Sequence, residues 1–124
     1  MKKSLQLSIN EVVMEHFNEA VNELPEVAHS YLNDRQMKEA GAKRLKSCTA
    51  WVWETDNYYV LQSYDTFIAC IDKSTDICYD ALRMVYGYTS TSSSHIAKFS
   101  KSTVYGGYSS AKWGCEKQFT ARDV

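Results

Sequence analysis

Apolar residues fall at helical spacing near the start of the chain, at Val13, Phe17, Ala20 and Leu24. This periodicity predicts an amphipathic helix from about Ile9 to Leu24. Ser8 followed three residues later by Glu11 reads as a capping box that starts it. Pro25 ends that helix or opens the next, because proline is tolerated in a first helical turn. Val27, Tyr31 and Leu32 carry a weaker helical pattern to about Ala40, and Gly41 is a natural stop.

The texture changes after Lys46. CTAWVWE combines strand formers with a Trp51/Trp53 alternation, TDN signals a turn, and YYVLQSY and TFIACID follow as two more strand-like runs. ICYDALRMVYGY reads as a further strand, with helix as its competitor because ALRM favours helix. The hydroxyl run Thr89–Ser94 leads into a short helix, about Ser92 to Ser100, with one of Thr89 to Ser92 as its cap. In this reading Ile96 and Phe99 plug the helix into the sheet, His95 sits at its edge, and Lys98 and Lys101 face water. VYGGY is a loop, and CEKQFTARDV alternates enough for an edge strand. Helices followed by strands predict an α+β fold: N-terminal helices, then an antiparallel meander of three to four strands with a short helix packed on it. At 124 residues the chain is expected to be one domain, helical over 1–46 and sheet plus helix over 47–124.

Charge adds a polarity to this outline. The net charge is −1, but Ser8 to Ala40 holds seven acids against Arg35 and Lys38. Ala81 to Gly114 holds no acid and four cations, Arg83, Lys98, Lys101 and Lys112. Glu11, Glu15, Glu19 and Glu23 recur every fourth residue. Each such step drifts roughly 40° around a helix, so they form one slanting stripe opposite the apolar face. A solvated outer face explains the stripe. So does a docking surface for a basic partner, since complementary potentials speed and orient association. The nine tyrosines suit half-buried strands and recognition surfaces alike.

Candidate chemistry centres on YGYTSTSSSHIAKF, Tyr86 to Phe99. There is no nucleophile elbow, and a serine one turn from a histidine seldom makes a catalytic pair. Hydroxyls and free amides at a helix start suit a small anion or nucleotide. Arg83, Tyr86, Tyr88, Ser92, His95 and Lys98 are the ligand-binding candidates on that reading. His16, His29 and His95 are scattered, and Cys48, Cys70, Cys78 and Cys115 form no CxxC pair, so no metal or other cofactor is expected. Zinc held by cysteines with His29 or His95 stays open. The N-terminus lacks the apolar run of a signal peptide or membrane span, which predicts a cytoplasmic chain with reduced cysteines and no membrane partner. The weakly basic segment lacks the charge of a phosphate tracker, so direct nucleic-acid binding is not expected.

SYDTFIACID and YGYTSTSSSHIAKF together resemble a family of small uncharacterised α+β domains from phages and mobile elements of Gram-positive bacteria. The first motif is carried by Ser63, Tyr64, Thr66, Ile68, Ala69 and Ile71. The second is carried by Tyr88, Thr91, Ser92, Ser93, His95, Ile96 and Phe99. The resemblance spans about residues 58 to 101 and implies a compact sheet-plus-helix unit whose hydroxyl and histidine positions are structural. It brings no activity with it, and it places the chain among phage accessory proteins that act by binding host machinery. The combined expectation is a non-catalytic inhibitor of a bacterial defence or nucleic-acid-handling protein, with an anti-CRISPR acting on a CRISPR effector as the specific form. The acidic helix would meet a basic groove, with Trp51 and Trp53 as contact anchors. The alternatives are a protein that sequesters a nucleotide signal and a small enzyme with an unrecognised site. The sequence leaves the oligomeric state open, a homodimer included.

Overall fold

The computed structural model describes residues 2–45, 49–101 and 113–124. The VYGGY loop and Cys48 lie outside the described residues.

The chain runs α1 (Lys2–Asn22), a 3-10 turn (Glu26–His29), α2 (Asp34–Glu39), β1 (Lys43–Arg44), β2 (Ala50–Glu54), β3 (Tyr58–Ser63), β4 (Thr66–Asp72), β5 (Ile77–Asp80), α3 (Leu82–Val85), α4 (Ser90–Lys101) and β6 (Lys117–Thr120). The fold is α+β, with six strands among the described residues, in sequence order in one sheet, rather than the expected three to four. β1 to β5 pair antiparallel, and β6 joins β5 in parallel. β1, the strand that was not expected, is two residues long, and β6 is the edge strand expected in the tail, pinned from the helix side. There Gln6 Nε2 donates to Thr120 O, Asn10 Nδ2 donates to Arg122 O, and Arg122 N–H donates back to Asn10 Oδ1. Buried Asn10 thereby supplies the C-terminal tail with partners that a further strand would have supplied.

Helices cover both faces of the sheet. Val13, Phe17, Ala20 and Leu24 of the α1 region pack on Trp51, Trp53, Tyr58, Val60, Cys70 and Tyr79. On the other face Ile96 and Phe99 of α4, with Trp113, pack on Val52, Leu61, Ile68, Ala69, Ile71 and Cys78. A sheet buried on both faces needs apolar residues at successive positions. Trp51 and Trp53 are therefore core residues, 4% and 2% exposed. This corrects their assignment as contact anchors. The Trp53 indole N–H is satisfied inside, donating to Gln62 Oε1 at 2.8 Å.

The helical N-terminal part also differs in detail. α1 begins at Lys2, so Ser8 lies mid-helix, and its hydroxyl donates to Ser4 O instead of capping. The capping box of this region is Asn33 with Gln36, at the start of α2. The weak pattern after Pro25 breaks into the 3-10 turn and the short α2. Gly41, at φ +100°, closes α2: Gly41 N–H donates to Lys38 O and Ala42 N–H to Met37 O. Only glycine adopts that backbone without strain. Both readings of ICYDALRM hold in part, because β5 ends at Asp80 and α3 begins at Leu82.

Candidate functional site

Glu11, Glu15 and Glu19 are exposed on the outer side of α1, opposite the buried Val13–Phe17–Ala20 stripe. Among the described residues no lysine or arginine forms an ion pair with any of them. Glu23 departs from the stripe. It lies just past the helix end, where the chain turns towards the β2–β3 hairpin. Its Oε1 accepts from Thr55 Oγ1 at 2.7 Å and from Asn57 N–H at 3.1 Å, and its Oε2 accepts from Asn57 Nδ2 at 2.7 Å. Burial pushes this carboxyl up, but the bonds from Asn57 and Thr55 outweigh it and hold the group below the usual glutamate value. Glu23 is a clasp between helix and hairpin, which corrects its place in a docking stripe.

The hydroxyl segment builds a different kind of site. Thr89 caps α4: its Oγ1 accepts from Ser92 N–H at 3.1 Å, and its carbonyl accepts from Ser93 N–H. The buried face of α4 is Ser92, His95, Ile96, Phe99 and Ser100. Their spacing is that of an apolar stripe, yet three of the five are polar. His95 is thus a core residue, 4% exposed, and not at the helix edge. Its Nδ1 and Ser63 Oγ share a hydrogen bond of 2.8 Å, and Ser63 Oγ lies 3.1 Å from Ser92 Oγ. In the tautomer protonated at Nε2 the serine hydroxyl donates to Nδ1; in the other, Nδ1–H donates to Ser63 Oγ. Burial, helped by Lys98, pushes the His95 pKa down, so its neutral form is favoured.

Ser63 and Ser92 line a pocket of about 220 Å³, which Tyr64, Thr66, Tyr86 and Thr91 also border. Tyr64 occupies the tight β3–β4 turn at φ +55°. A non-glycine residue in that region is strained, by about 1–2 kcal/mol. Its ring lies 6.0 Å from the His95 ring.

Of the six ligand-binding candidates, Tyr86 and Ser92 reach this pocket, and His95 stands behind it through Ser63. Arg83 instead lies over the Tyr88 ring at 4.6 Å, and Arg83, Tyr88 and Lys98 are not on the pocket wall. Lys98 is half-buried rather than fully in water. Sequence reading missed Ser63 and Tyr64 as site residues. Their only signal was their place in the first of two paired motifs, since 32 positions separate Ser63 from His95.

Chemically, a neutral imidazole against a serine can accept its proton. Among the described residues, however, no carboxylate orients His95, as a triad requires. Nor do three His, Cys, Asp or Glu side chains converge there to hold a metal. No described helix is long and apolar enough to cross a membrane. No family model, curated protein or solved structure matches the chain.

Proposed function

We propose that this protein is a non-catalytic binding protein that docks the outer face of α1 on a basic surface of another protein. One observation carries the reading: Glu11, Glu15 and Glu19 stand exposed in a row without a cationic partner among the described residues. Three like charges at this spacing weaken a helix slightly. A partner's lysines and arginines would offset that repulsion on binding. The motif resemblance gives the context, a phage-type accessory protein that inhibits a bacterial defence or nucleic-acid-handling protein in the host cytoplasm. Its specific form is anti-CRISPR-like, with a CRISPR effector as partner. Trp51, Trp53 and Glu23 take no part in the contact.

The test is capture from host lysate at low and high salt, followed by mass spectrometry. Wild type retains a protein with a basic surface, and added salt weakens the complex. Glu15→Lys combined with Glu19→Lys abolishes capture. Capture that survives both the charge reversal and the salt overturns the reading.

A second reading is favoured by the pocket at Ser63, Tyr86 and Ser92. At about 220 Å³ it lies below the usual range for a whole drug-sized ligand, roughly 300–1,000 Å³. It would take one base or one phosphate of a nucleotide signal. Thermal shift against a nucleotide panel tests this, because a bound ligand raises apparent stability. A flat panel removes the reading.

A further inference from the structure

A second cleft, of about 600 Å³, opens between the segment that follows the 3-10 turn and the β3–β4 hairpin. Its size falls within the usual range for a small-molecule site, roughly 300–1,000 Å³. Tyr31 and Leu32 border it from the segment, and Gln62, Tyr64, Asp65 and Phe67 from the hairpin. Glu11, Glu15 and Glu19 are not on its wall. Aromatic surface is concentrated here: Tyr31 is 91% exposed, Tyr64 57%, and Phe67 is half-buried. Exposed apolar surface gathered in one concave place marks a binding site, whereas singly scattered residues do not.

Tyr64 is fixed in place before any ligand arrives. Its backbone holds φ +55°. Its N–H donates to Thr49 O at 2.9 Å, and its carbonyl accepts from Gln62 Nε2 at 3.0 Å. Gln62 is anchored in turn by the buried Trp53 indole, which donates to its Oε1. Strain of this kind persists where the surroundings over-determine it, and it collects at ligand clamps. A ring positioned in advance loses little freedom on binding.

Charge selects the ligand. Asp65 is exposed, and its Oδ1 accepts a long bond, 3.3 Å, from Thr66 Oγ1. Among the described residues no lysine or arginine forms an ion pair with it, and none borders the cleft. His29 also lines the cleft, with its ring edge-on to Phe67 at 5.7 Å. An anion would therefore meet a carboxylate with no lysine or arginine beside it. A cation would meet that carboxylate and two tyrosine rings.

We propose that this cleft binds an organic ammonium ion: Tyr31 and Tyr64 take the cation on their rings, Asp65 pairs its charge, and Leu32 and Phe67 receive its apolar arm. Ring quadrupoles attract alkylated ammonium groups, and several rings around one cation make the aromatic cage that holds them.

The experiment titrates isotope-labelled full-length protein with choline and with benzyltrimethylammonium and follows the amide resonances by NMR. Expected are saturable shifts over residues 28–32 and 62–67, with tighter binding of the benzyl compound. The uncharged analogue of choline, with carbon in place of nitrogen, gives no saturable shift. Asp65→Asn keeps the acceptor for Thr66 and weakens binding roughly two- to fivefold. Tyr64→Gly removes the ring and weakens binding roughly three- to thirtyfold. It also relieves the positive-φ strain, so its melting temperature holds or rises. Glu15→Lys combined with Glu19→Lys binds both probes like wild type, which separates this site from the docking face. Equal binding of the uncharged analogue overturns the proposal, as do shifts confined to α1 or a Tyr64→Gly variant that binds like wild type. If Tyr64→Gly lowers the melting temperature, Asp65→Asn and the uncharged analogue decide alone.

Discussion

α1 and α4 cover opposite faces of one sheet, and each enters it through an apolar stripe, but they place their polar groups differently. α1 keeps its acids outside and uses its inward polar atoms as ties to other segments. Asn10 holds the C-terminal tail, and Glu23, just beyond the helix, holds the β2–β3 hairpin. α4 turns its polar groups inward, where Ser92 and His95 meet Ser63 across the helix–sheet boundary. One face therefore leaves a charged surface free to meet a partner. The other makes a buried polar network whose members depend on one another. Surface charge can change with little consequence for the fold, whereas the inward network cannot.

The largest effects should come from the apolar anchors the two helices share in kind. Phe17→Ala and Phe99→Ala each remove a buried ring, 5% and 0% exposed, and each should cost about 3–5 kcal/mol in urea unfolding. A single transition for both variants would show the two faces cooperating. If Phe99→Ala melts in two steps with α1 intact, the α4 layer is a separable addition. Next in size are the ties. Asn10→Ala leaves Arg122 N–H and O unpaired and should cost about 1–3 kcal/mol, with faster amide exchange at Arg122. Unchanged exchange there would mean that the tail is held by β6 pairing alone.

How far each face was legible in the sequence follows from the same contrast. The Val13–Phe17–Ala20–Leu24 stripe was readable because its inward residues are apolar. The α4 stripe has the same spacing, but Ser92, His95 and Ser100 conceal it, so His95 read as an edge residue. Trp51 and Trp53 alternate like a one-sided strand. The second covered face, which buries Ala50 and Val52 as well, becomes apparent only when α4 is placed. Glu23 continues the four-residue rhythm of the stripe, and its donors lie 32 and 34 positions away. Contacts at that separation belong to the tertiary fold, not to local pattern. The strand count fell short at β1, whose two residues carry no periodicity of their own, whereas β6 lies in the tail whose alternation reads as an edge strand.

The inward network makes stability depend on pH. The folded pKa of His95 is depressed below its unfolded value of about 6.5. Below that value the unfolded chain binds the proton more readily than the folded one, so stability rises with pH there. The His95 contribution is full above about pH 6.5 and is lost as pH falls through the folded pKa. Melting temperature should therefore drop between neutral and mildly acidic pH, and His95→Gln should flatten that drop while retaining an acceptor for Ser63. A variant curve parallel to wild type would place the titration elsewhere. Glu23 acts lower on the scale. Its depressed pKa gives a contribution held above the ordinary glutamate value and lost as pH falls through the folded one.

The smallest effect separates an outward acid of α1 from the inward tie just beyond it. Glu15 is exposed and flanked at i±4 by Glu11 and Glu19. Glu15→Gln removes two like-charge repulsions and keeps a good helix former, so it should stabilise by about 0.2–0.5 kcal/mol. Salt should shrink this gain, because exposed charges are screened within about 10 Å at 0.1 M. The matching change in Glu23→Gln has the opposite sign. It weakens charge-assisted bonds to Thr55 and Asn57 and turns one carboxylate oxygen into a donor facing donors. Two identical substitutions, eight residues apart in one acidic series, should move stability in opposite directions in the same denaturation assay. If both stabilise, Glu23 is part of the surface stripe after all. If both destabilise, the outer acids are tied into the fold and are not free to meet a partner.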